Sequence, residues 1–426
     1  MDFREILRKH ISDKPFDRNL LNGSKSAYGM SLLVEEEFSE RYQNLTEEFL
    51  NIAKFHKHTD PEPKANDIDF VVLWGVSETD VNCQMLLNYA VKHSKPILII
   101  EDGFLRSFFP MAFGEVSASL RYDPLGCYYD CNQESSIENL LNDDEFILTE
   151  QEKSELADTI YSMVSNNITK YCSVDTCSLC VDQGKGTVLV IDQVYGDMSI
   201  QLGGAEPSDF ENMLNDAQAE NPDKDVIVKL HPETALGIRK GHYDPKNLED
   251  RGFKVITENS NSIDLLKRVD IVYCATTQMG FEALMCGKEV VVYGSPFYAG
   301  WGVTRDKKLV KRRNSRRNIF ELFYAAYIYQ VNYYHPEKKC SSDLHSVIEY
   351  FISKSKDRSY LSEIKNQNLE IRIRKLEKKI QEIEPLKQAS VTLDWHVNDI
   401  KDNYSYMFGA KLRRVVDKIK GKFFDV

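Results

Sequence analysis

Two carboxylates that could take part in catalysis follow an apolar run near the middle of the sequence. Asp192 ends the run 187–191, and Asp197 comes after Gly196, where the backbone can turn sharply. A carboxylate can attack an electrophilic carbon or stabilise an oxocarbenium-like centre. The structural alternative is that Asp197 caps a following helix, which is a common role for aspartate.

A second segment carries cations and a histidine. Lys229 and His231 alternate at the end of another apolar run, so they share one face of a strand, and Pro232 follows. Arg239 and Lys240 lie shortly downstream. In an acidic chain, this cluster suits a nucleotide phosphate and an acidic sugar. A lone histidine after a strand is more often structural, and that interpretation stays open.

Two more loops have a composition typical of ligand sites. Thr276 and Thr277 precede a predicted helix, whose free backbone N–H groups would favour a phosphate. Glu282, one turn into that helix, could accept hydrogen bonds from ribose hydroxyls. The loop 294–302 combines glycine, proline and aromatic residues, which suggests a tight turn lining a pocket.

The segment 101–107 carries a different combination. Glu101 and Asp102 follow the apolar run 96–100, and Arg106 comes four residues later. Taken alone, these residues indicate either a reactive cluster or a salt-bridged turn, with equal weight.

The elements that must position these loops alternate between apolar strands and amphipathic helices. The runs 70–74 and 96–100 flank a predicted helix at 80–94, and a second strand–helix series extends from 187 to 293. Such alternation predicts α/β lobes with doubly wound parallel sheets, which bind ligands at the carboxyl ends of their strands. Two such Rossmann-type lobes with a cleft between them correspond to the GT-B-like architecture of many glycosyltransferases.

The predicted domains follow from this pattern. Residues 1–180 are expected to form an N-terminal α/β lobe and residues 181–355 a second one; in a GT-B-like glycosyltransferase these would be the acceptor side and the nucleotide-sugar-binding lobe. Residues 356–426 form a helical tail. Within the lobes, residues 1–60 are expected to be helical, and so are residues 316–355, which would close the second lobe.

Composition excludes several classes of protein. The chain has 426 residues, 42% of them hydrophobic, which argues against general disorder. A net charge of -12 argues against a partner that is a nucleic-acid polymer, because such binders need a basic face. The N-terminus lacks the apolar core of a signal peptide, and the sequence lacks an apolar run long enough to span a bilayer. A cytoplasmic location is therefore expected.

The cysteines invite a metal interpretation. Cys172, Cys177 and Cys180 are close in sequence, with Cys127 and Cys131 as further candidates. Zinc sites show paired ligand spacings, whereas this stretch has a single Cys-x-x-Cys and a histidine is absent from its neighbourhood. We therefore expect no metal site.

The tail has two distinct parts. Apolar residues at 3–4 spacing over 360–384 favour either a dimerising helix or a helix packed on its own protein. The segment 405–426 has six Lys/Arg against two Asp, interleaved with apolar residues. That pattern is typical of a basic amphipathic helix, so peripheral contact with the inner membrane is expected, with a solvated face plus core contacts as the alternative.

Five segments, taken together, resemble the capsule polysaccharide β-Kdo transferases of the KpsC type. They occur in the family's order between about residues 70 and 305: 101–107, 188–193 with Gly196-Asp197, 229–232, 278–284 and 296–302. The strings Gly-Phe-Leu-Arg-Ser and Phe-Tyr-Ala-Gly-Trp-Gly are the most specific.

The resemblance implies a reaction. It implies transfer of 3-deoxy-D-manno-octulosonic acid (Kdo) from CMP-β-Kdo with retention of configuration and no cofactor. Retention with a carboxylate nucleophile requires a glycosyl-enzyme intermediate. The family's motif assigns the nucleophile to Asp197, with Asp192 as second candidate. Glu101 or Asp102 would be the general base facing the acceptor, and His231 is a further catalytic candidate.

The resemblance also implies binding residues. Arg106 would bind a substrate carboxylate, and Gly75 lies with it on the acceptor side. The nucleotide-sugar candidates come from the second lobe: Gln193, Lys229, His231, Pro232, Arg239, Lys240, Thr276, Thr277, Gln278, Gly280, Glu282, Gly300 and Trp301.

One departure leaves the acceptor open. The best-known members carry two transferase modules in tandem, whereas this chain matches one. The acceptor is expected to be a glycolipid or an oligosaccharide. Two alternatives remain: a GT-B transferase using CMP-sialic acid or a UDP-sugar, and a non-catalytic partner in capsule assembly or export.

Overall fold

Two β-sheets organise the chain in the computed structural model, which describes residues 2–30, 45–109, 115–172, 185–235, 239–258 and 260–383. Helices cover both sheets, as predicted for a two-lobed α/β protein of GT-B-like architecture. The described helices are α1 (Phe3–Asp13), α2 (Leu45–Leu50), α3 (Val81–His93), α4 (Ser136–Asn142), α5 (Glu150–Ser165), α6 (Met198–Leu202), α7 (Pro207–Glu220), α8 (Pro232–Ala235), α9 (Pro245–Asp250), α10 (Ser262–Leu266), α11 (Gln278–Met285), α12 (Ile319–Tyr327), α13 (Leu344–Ser355) and α14 (Arg358–Ile383).

The first sheet is mixed. Its described strands are β1 (Ser26–Gly29), β2 (Lys54–Lys57), β3 (Phe70–Trp74), β4 (Ile97–Asp102), β5 (Ser119–Asp123), β12 (Val331–His335) and β13 (Cys340–Ser342), in the spatial order β13-β12-β5-β4-β3-β1-β2. Strands β1 to β4 pair in parallel, whereas β5, β12 and β13 pair antiparallel. The parallel strands β3 and β4 therefore end at the same edge, at Trp74 and Asp102.

The second sheet is parallel throughout its described strands. These are β6 (Thr187–Ile191), β7 (Asp225–Lys229), β8 (Lys254–Ile256), β9 (Ile271–Cys274), β10 (Glu289–Val292) and β11 (Arg305–Asp306), in the spatial order β11-β10-β9-β6-β7-β8. The strand order therefore reverses between β6 and β9. In doubly wound sheets the ligand crevice lies beyond the strand ends at this switch point.

Burial on both faces explains why these strands read as continuous apolar runs. In β6, Leu189 and Ile191 face a core that includes residues of both lobes, while Val188 and Val190 face a core built on α7. All four side chains are almost completely buried. Both faces of the sheet are therefore packed against a core, and this packing positions the loops that follow the strands.

Two sequence-based expectations about the elements are wrong. Residues 1–60 are not all helical, because β1 and β2 are parallel strands at the end of the first sheet. Their short, half-polar sequences lack the apolar run that marked β3 and β4. The second lobe also does not extend unbroken to 355, since β12 and β13 return to the first sheet and pair on β5. Pairing there buries Tyr333 and Tyr334.

The two lobes are tied together by polar contacts as well as by the shared core. Glu138 of α4 is almost fully buried and accepts hydrogen bonds from Arg312 Nε at 2.6 Å and Arg313 Nε at 3.1 Å. Gln278 Nε2 donates to the carbonyl of Phe104 at 2.8 Å. Hydrogen bonds at α4 and at the loop after β4 therefore join the first lobe to the second.

The described part of the tail is the helix α14. Leu361 and Ile364 pack on the chain's own core, as one of the two interpretations of this segment expects. Dimerisation through 360–384 stays a prediction, and the predicted membrane segment 405–426 lies outside the described residues. Along the described part of the chain, none of the helices is both long and apolar enough to cross a bilayer.

Candidate active site

Asp197 lies on the loop that links β6 to α6, at the switch point of the second sheet. Its Oδ1 accepts a hydrogen bond from the backbone N–H of Ser199 at 2.8 Å, so it caps α6. The side chain is still partly exposed to the cleft. Capping and reactivity are compatible here, because the cap uses one carboxylate oxygen and the second oxygen remains.

His231 follows β7 and lies beside Asp197. Its Nδ1 accepts a hydrogen bond from the backbone N–H of Glu233 at 3.2 Å, which leaves the proton of the neutral ring on Nε2. Burial lowers the pKa of His231 to about 4; the charge of Asp197 opposes this shift, and those of Lys229 and Arg239 add to it. The ring is thus a neutral hydrogen-bond donor at physiological pH.

Glu101 reaches the same place from the first sheet. It is the residue before the last of β4, and its Oε1 accepts a hydrogen bond from Tyr129 Oη at 2.8 Å. Burial raises the pKa of Glu101 to about 7, and the charges of Asp102 and Asp197 add to the effect. A carboxyl with this pKa can take up and release a proton near neutral pH, as a general base must.

The glycine at the end of β3 makes room for that carboxyl. Gly75 adopts a φ of 61°, and a Cβ atom there would lie 2.8 Å from Glu101 Oε1 and 3.2 Å from Tyr129 Oη. Gly75 therefore lies against the base candidate, and its place on the acceptor side stays a prediction.

Asp192 differs from Asp197 in its surroundings. It is 2% exposed, and its Oδ1 accepts a hydrogen bond from the backbone N–H of His242 at 3.0 Å. Gly241 approaches so closely that a Cβ atom would lie 2.2 Å from Asp192 Oδ2. Burial raises the pKa of Asp192 to about 7. This geometry suits a residue that holds the 239–243 loop against β6 better than it suits a nucleophile.

The cations predicted beside His231 differ in their exposure and in their contacts. Lys229 is 4% exposed, and its Nζ donates to the carbonyl of Glu258 at 3.4 Å. Arg239 lies 3.7 Å from Glu233, and Lys240 lies over the ring of Tyr195 at 5.3 Å. Arg239 and Lys240 are therefore at the surface, whereas Lys229 is buried. Pro232 begins α8 directly after His231.

Gln193 and Thr276 join the loops on either side of the switch point. Gln193 Oε1 accepts from the backbone N–H of Thr276 at 2.9 Å, and Gln193 Nε2 donates to Thr276 Oγ1 at 3.0 Å. Thr277 caps α11 through the backbone N–H of Met279. Gln193 is buried, so it positions the β9 loop, whereas both threonines are partly exposed at the predicted phosphate position.

Glu282 does not face the cleft. It is 2% exposed and accepts hydrogen bonds from Thr169 Oγ1, from Ser262 Oγ at 2.6 Å and from Gln278 Nε2 at 3.3 Å. Its predicted contact with ribose hydroxyls is not what this geometry offers, because these internal donors occupy the carboxylate. Glu282 instead connects α11 to α10 and to the segment after α5.

The glycine-rich loop also has a packing role. Trp301 is 1% exposed, and its Nε1 donates to the carbonyl of Phe297 at 2.8 Å. Gly300 has a φ of 84° and lies against Arg313. A Cβ atom on Gly280 would lie 2.1 Å from Tyr298 Oη. Gly280 and Trp301 therefore shape the second lobe from inside rather than by touching a ligand, and Gly300 provides the turn.

Arg106 is also committed internally. It is 2% exposed, its Nε donates to Asp102 Oδ2 at 2.7 Å, and its Nη1 donates to Ser107 Oγ at 2.8 Å. The salt-bridged turn considered for this segment thus exists. Asp102 is held in place by this pair, which leaves Glu101 as the better placed base, and Arg106 is not available for a substrate carboxylate.

Lys170 and Tyr129 are site residues that the sequence did not reveal. Tyr129 hydrogen-bonds Glu101, and Lys170 lies close enough for its charge to oppose the rise in the pKa of Glu101. Neither lies in a recognisable motif. Within the described ranges there is no group of three or more His, Cys, Asp or Glu residues that could hold a metal ion. Cys177 and Cys180 lie outside those ranges.

Fold and site together define a two-lobed α/β protein with carboxylates from both lobes and a neutral histidine at the strand ends of its cleft. The chain belongs to the family of capsule polysaccharide biosynthesis proteins, whose profile matches residues 69–179 and 149–335.

Relatives and solved structures agree with this membership. The chain is 35% identical over 309 residues to the capsule polysaccharide modification protein LipA of Neisseria meningitidis serogroup A, covering 70% of this chain and 43% of LipA. It is 36% identical over 269 residues to the lipopolysaccharide-processing protein LpsZ of Rhizobium meliloti, covering 62% of this chain and 59% of LpsZ. The chain thus spans less than half the length of LipA.

Two structures of Thermosulfurimonas dismutans KpsC share the fold. The β-Kdo 2,4 transferase superposes with a TM-score of 0.67 at 34% identity, covering 76% of this chain and 98% of that chain. The β-Kdo 2,7 transferase superposes with a TM-score of 0.56 at 22% identity, covering 78% and 99%.

Proposed function

We propose that the protein is a retaining glycosyltransferase that moves Kdo from CMP-β-Kdo to a hydroxyl of a glycolipid or oligosaccharide. The proposal rests on one observation: Asp197, after a strand of the second sheet, lies near enough to Glu101 of the first sheet and to His231 for its charge to act on both. The likeness to a β-Kdo 2,4 transferase over 98% of that chain supports the choice of sugar.

In the first step the carboxylate of Asp197 attacks the anomeric carbon of Kdo. A bond forms between the Asp197 oxygen and that carbon, and the bond to the phosphate oxygen breaks. CMP leaves with the electron pair. Capping of α6 holds the attacking carboxylate in position through one oxygen, and the developing positive charge on the sugar is stabilised by the carboxylate itself.

In the second step the acceptor hydroxyl attacks the same carbon. Its proton passes to Glu101, the bond to Asp197 breaks, and the aspartate carboxylate is regenerated. Each displacement inverts the carbon, so the two together retain the β configuration. A pKa of about 7 suits Glu101 to this role, because the carboxylate form is available and its basicity is high.

The second lobe supplies the groups that bind the leaving nucleotide. His231 presents Nε2–H as a neutral donor, and Lys229 and Arg239 bring positive charge to its vicinity. Thr276 and Thr277 lie at the start of α11, where backbone N–H groups favour a phosphate. These groups gain interaction energy as negative charge collects on the departing phosphate.

The experiment that tests this function is a transfer assay with a panel of donors. The purified chain is mixed with a Kdo-bearing alkyl glycoside and with CMP-Kdo, CMP-sialic acid or a UDP-sugar. We expect a β-linked product from CMP-Kdo, identified by NMR. An α-linked product would contradict the double displacement, and transfer only from another donor would replace Kdo as the sugar.

We further propose that the acceptor is presented at the inner membrane and that the basic segment 405–426 contacts the membrane surface there. Deletion of 405–426 should release the protein from the membrane fraction without loss of transfer to a soluble acceptor. Unchanged membrane association would contradict this contact.

A further inference from the structure

Asp197 caps a helix that is too short to be stable by itself. Helix α6 has five residues, whereas isolated helices need about 12–15 residues even to be marginal in water. Burial of Ile200 and Leu202 supplies part of the anchoring. Gly203 and Gly204 follow the helix and provide no side chain that could fix its end. The position of the Asp197 carboxylate therefore depends on what other parts of the protein bind at that end.

The carbonyl groups of residues 202–204, at the C-terminal end of α6, each accept a hydrogen bond from a distant part of the chain. The backbone N–H groups of Cys131 and Ser295 donate to the first two at 2.8 Å and 2.7 Å. The Nζ of Lys308 donates to the third at 2.7 Å. Of these three donors, Lys308 alone uses its side chain, and a positive charge at the C-terminal end of a helix is favourable.

A second bond fixes the ammonium of Lys308. Its Nζ donates to Asp209 Oδ2 at 2.6 Å. The Asp209 side chain is 13% exposed, so the pair is partly shielded from water and is screened less than a surface pair. The same carboxylate oxygen accepts from the backbone N–H of Glu206 at 2.6 Å, at the start of α7. Lys308 therefore connects the end of α6 to the first turn of α7.

The backbone that carries Lys308 is fastened along α7 as well. Lys307 Nζ donates to Asp216 Oδ2 at 2.9 Å and to Glu220 Oε1 at 2.7 Å. Asp209, Asp216 and Glu220 are seven and four positions apart, which places them on one face of the helix. This row of carboxylates sets the point at which the Lys308 side chain reaches α6.

We propose that Lys308 positions the nucleophile Asp197 by holding the C-terminal end of α6. The inference rests on the proposed function, which makes Asp197 the nucleophile. Lys308 bonds the seventh residue after Asp197, at the opposite end of the helix, so it acts through α6 rather than on the reacting atoms. Loss of this bond would let the carboxylate shift, and a misplacement of about 1 Å can lower a reaction rate by roughly 10²-fold.

The test separates the reaction step from binding and from folding. The proteins are the wild type, Lys308→Met, Lys308→Arg and the control Lys311→Met, which changes an exposed lysine of the same segment. The rate of adduct formation with CMP-Kdo, without acceptor, is followed by mass spectrometry. Affinity for CMP is measured by calorimetry, and urea unfolding gives the global stability. Hydrogen–deuterium exchange over residues 198–205 reports the hold on α6 independently of the reaction.

We expect Lys308→Met to form the adduct ~10–10²-fold more slowly, with unchanged affinity for CMP and faster exchange in α6. Lys308→Arg should recover most of the rate, because it keeps the charge, and Lys311→Met should match the wild type. A wild-type rate in Lys308→Met, unchanged exchange in α6, or a loss that only follows the unfolded fraction would overturn the inference. If the wild type forms no adduct but exchange in α6 rises in Lys308→Met alone, the hold on α6 stands and the proposed function fails.

Discussion

Glu101 lies in β4 of the first sheet and Asp197 lies on the loop after β6 of the second, 96 positions later, yet the charge of Asp197 contributes to the raised pKa of Glu101. Burial supplies the larger part of that shift. The two carboxyls therefore lie near enough for their charges to interact.

Replacement of Asp197 should separate reactivity from folding. Asp197→Asn keeps a good helix cap for α6, so stability should change little, while turnover should fall by roughly 10³-fold or more. The control is Asp244→Asn, which alters an equivalent cap on α9 away from the cleft. Full activity in Asp197→Asn would exclude it as the nucleophile.

The pH dependence of transfer should report Glu101. Its pKa is raised to about 7, and only the ionised form accepts the proton. The value of kcat/KM should therefore fall as pH decreases below about 7 and level off above it. In Glu101→Gln, kcat/KM should no longer fall with decreasing pH, and the transfer rate should be ~10²–10⁴-fold lower than in the wild type. A wild-type profile that is flat from about pH 5 to 8 would argue against this base.

The ionised form of Glu101 should destabilise the folded protein. Because its folded pKa lies above the usual 4.5, the cost grows as pH rises from the unfolded value to the folded one. Glu101→Gln should then be more stable by ~1–3 kcal/mol at about pH 8 and nearly equal to the wild type at about pH 4. Urea unfolding at both pH values checks this, and a gain that is independent of pH would contradict it.

His231 should stay neutral across the working range. Burial lowers its pKa to about 4, so its ring proton signals in NMR should not move between about pH 5.5 and 8. His231→Ala removes the Nε2–H donor and should reduce kcat/KM by ~10²-fold, with partial recovery in His231→Gln. A His231 titration near its ordinary pKa would contradict the neutral donor role.

Gly280 should tolerate no side chain. A Cβ atom would lie 2.1 Å from Tyr298 Oη and 2.7 Å from Cys274 Sγ, inside a packed region. Gly280→Ala should destabilise the protein by ~1–3 kcal/mol or more, although alanine favours helices. Gly252→Ala, where nothing lies within 4 Å but φ is +85°, measures the cost of backbone strain alone. Equal stability of Gly280→Ala and the wild type would contradict the packing described.

The sequence predicts the fold wherever burial on both faces produces an apolar run. Strands β3, β4, β6, β7 and β9 carry such runs, and the predicted parallel sheets follow from them. Strand β2, with the sequence Lys-Phe-His-Lys, lies at the edge of its sheet and is half exposed, so it gives no such signal. The return of β12 to the first sheet depends on pairing with β5, more than 200 positions earlier, which local patterns cannot reveal.

The site is predictable to a similar extent. Asp197 and His231 follow strand ends and lie near each other, whereas Glu282 and Trp301, from two other segments of the resemblance, are buried in the interior. Residue type and spacing do not tell these two cases apart, because both pockets and cores need glycine, aromatic and capped-helix sequences. Lys170 has no motif at all, and only the folded chain brings it to Glu101.

The central claim is that Asp197 becomes covalently bonded to the sugar. Mass spectrometry of the purified chain after mixing with CMP-Kdo, without acceptor, tests it most directly. We expect a mass increase of one Kdo residue, mapped to Asp197, absent in Asp197→Asn and retained in Asp192→Asn. An adduct mapped to Asp192, or transfer without an adduct on any carboxylate, would contradict it.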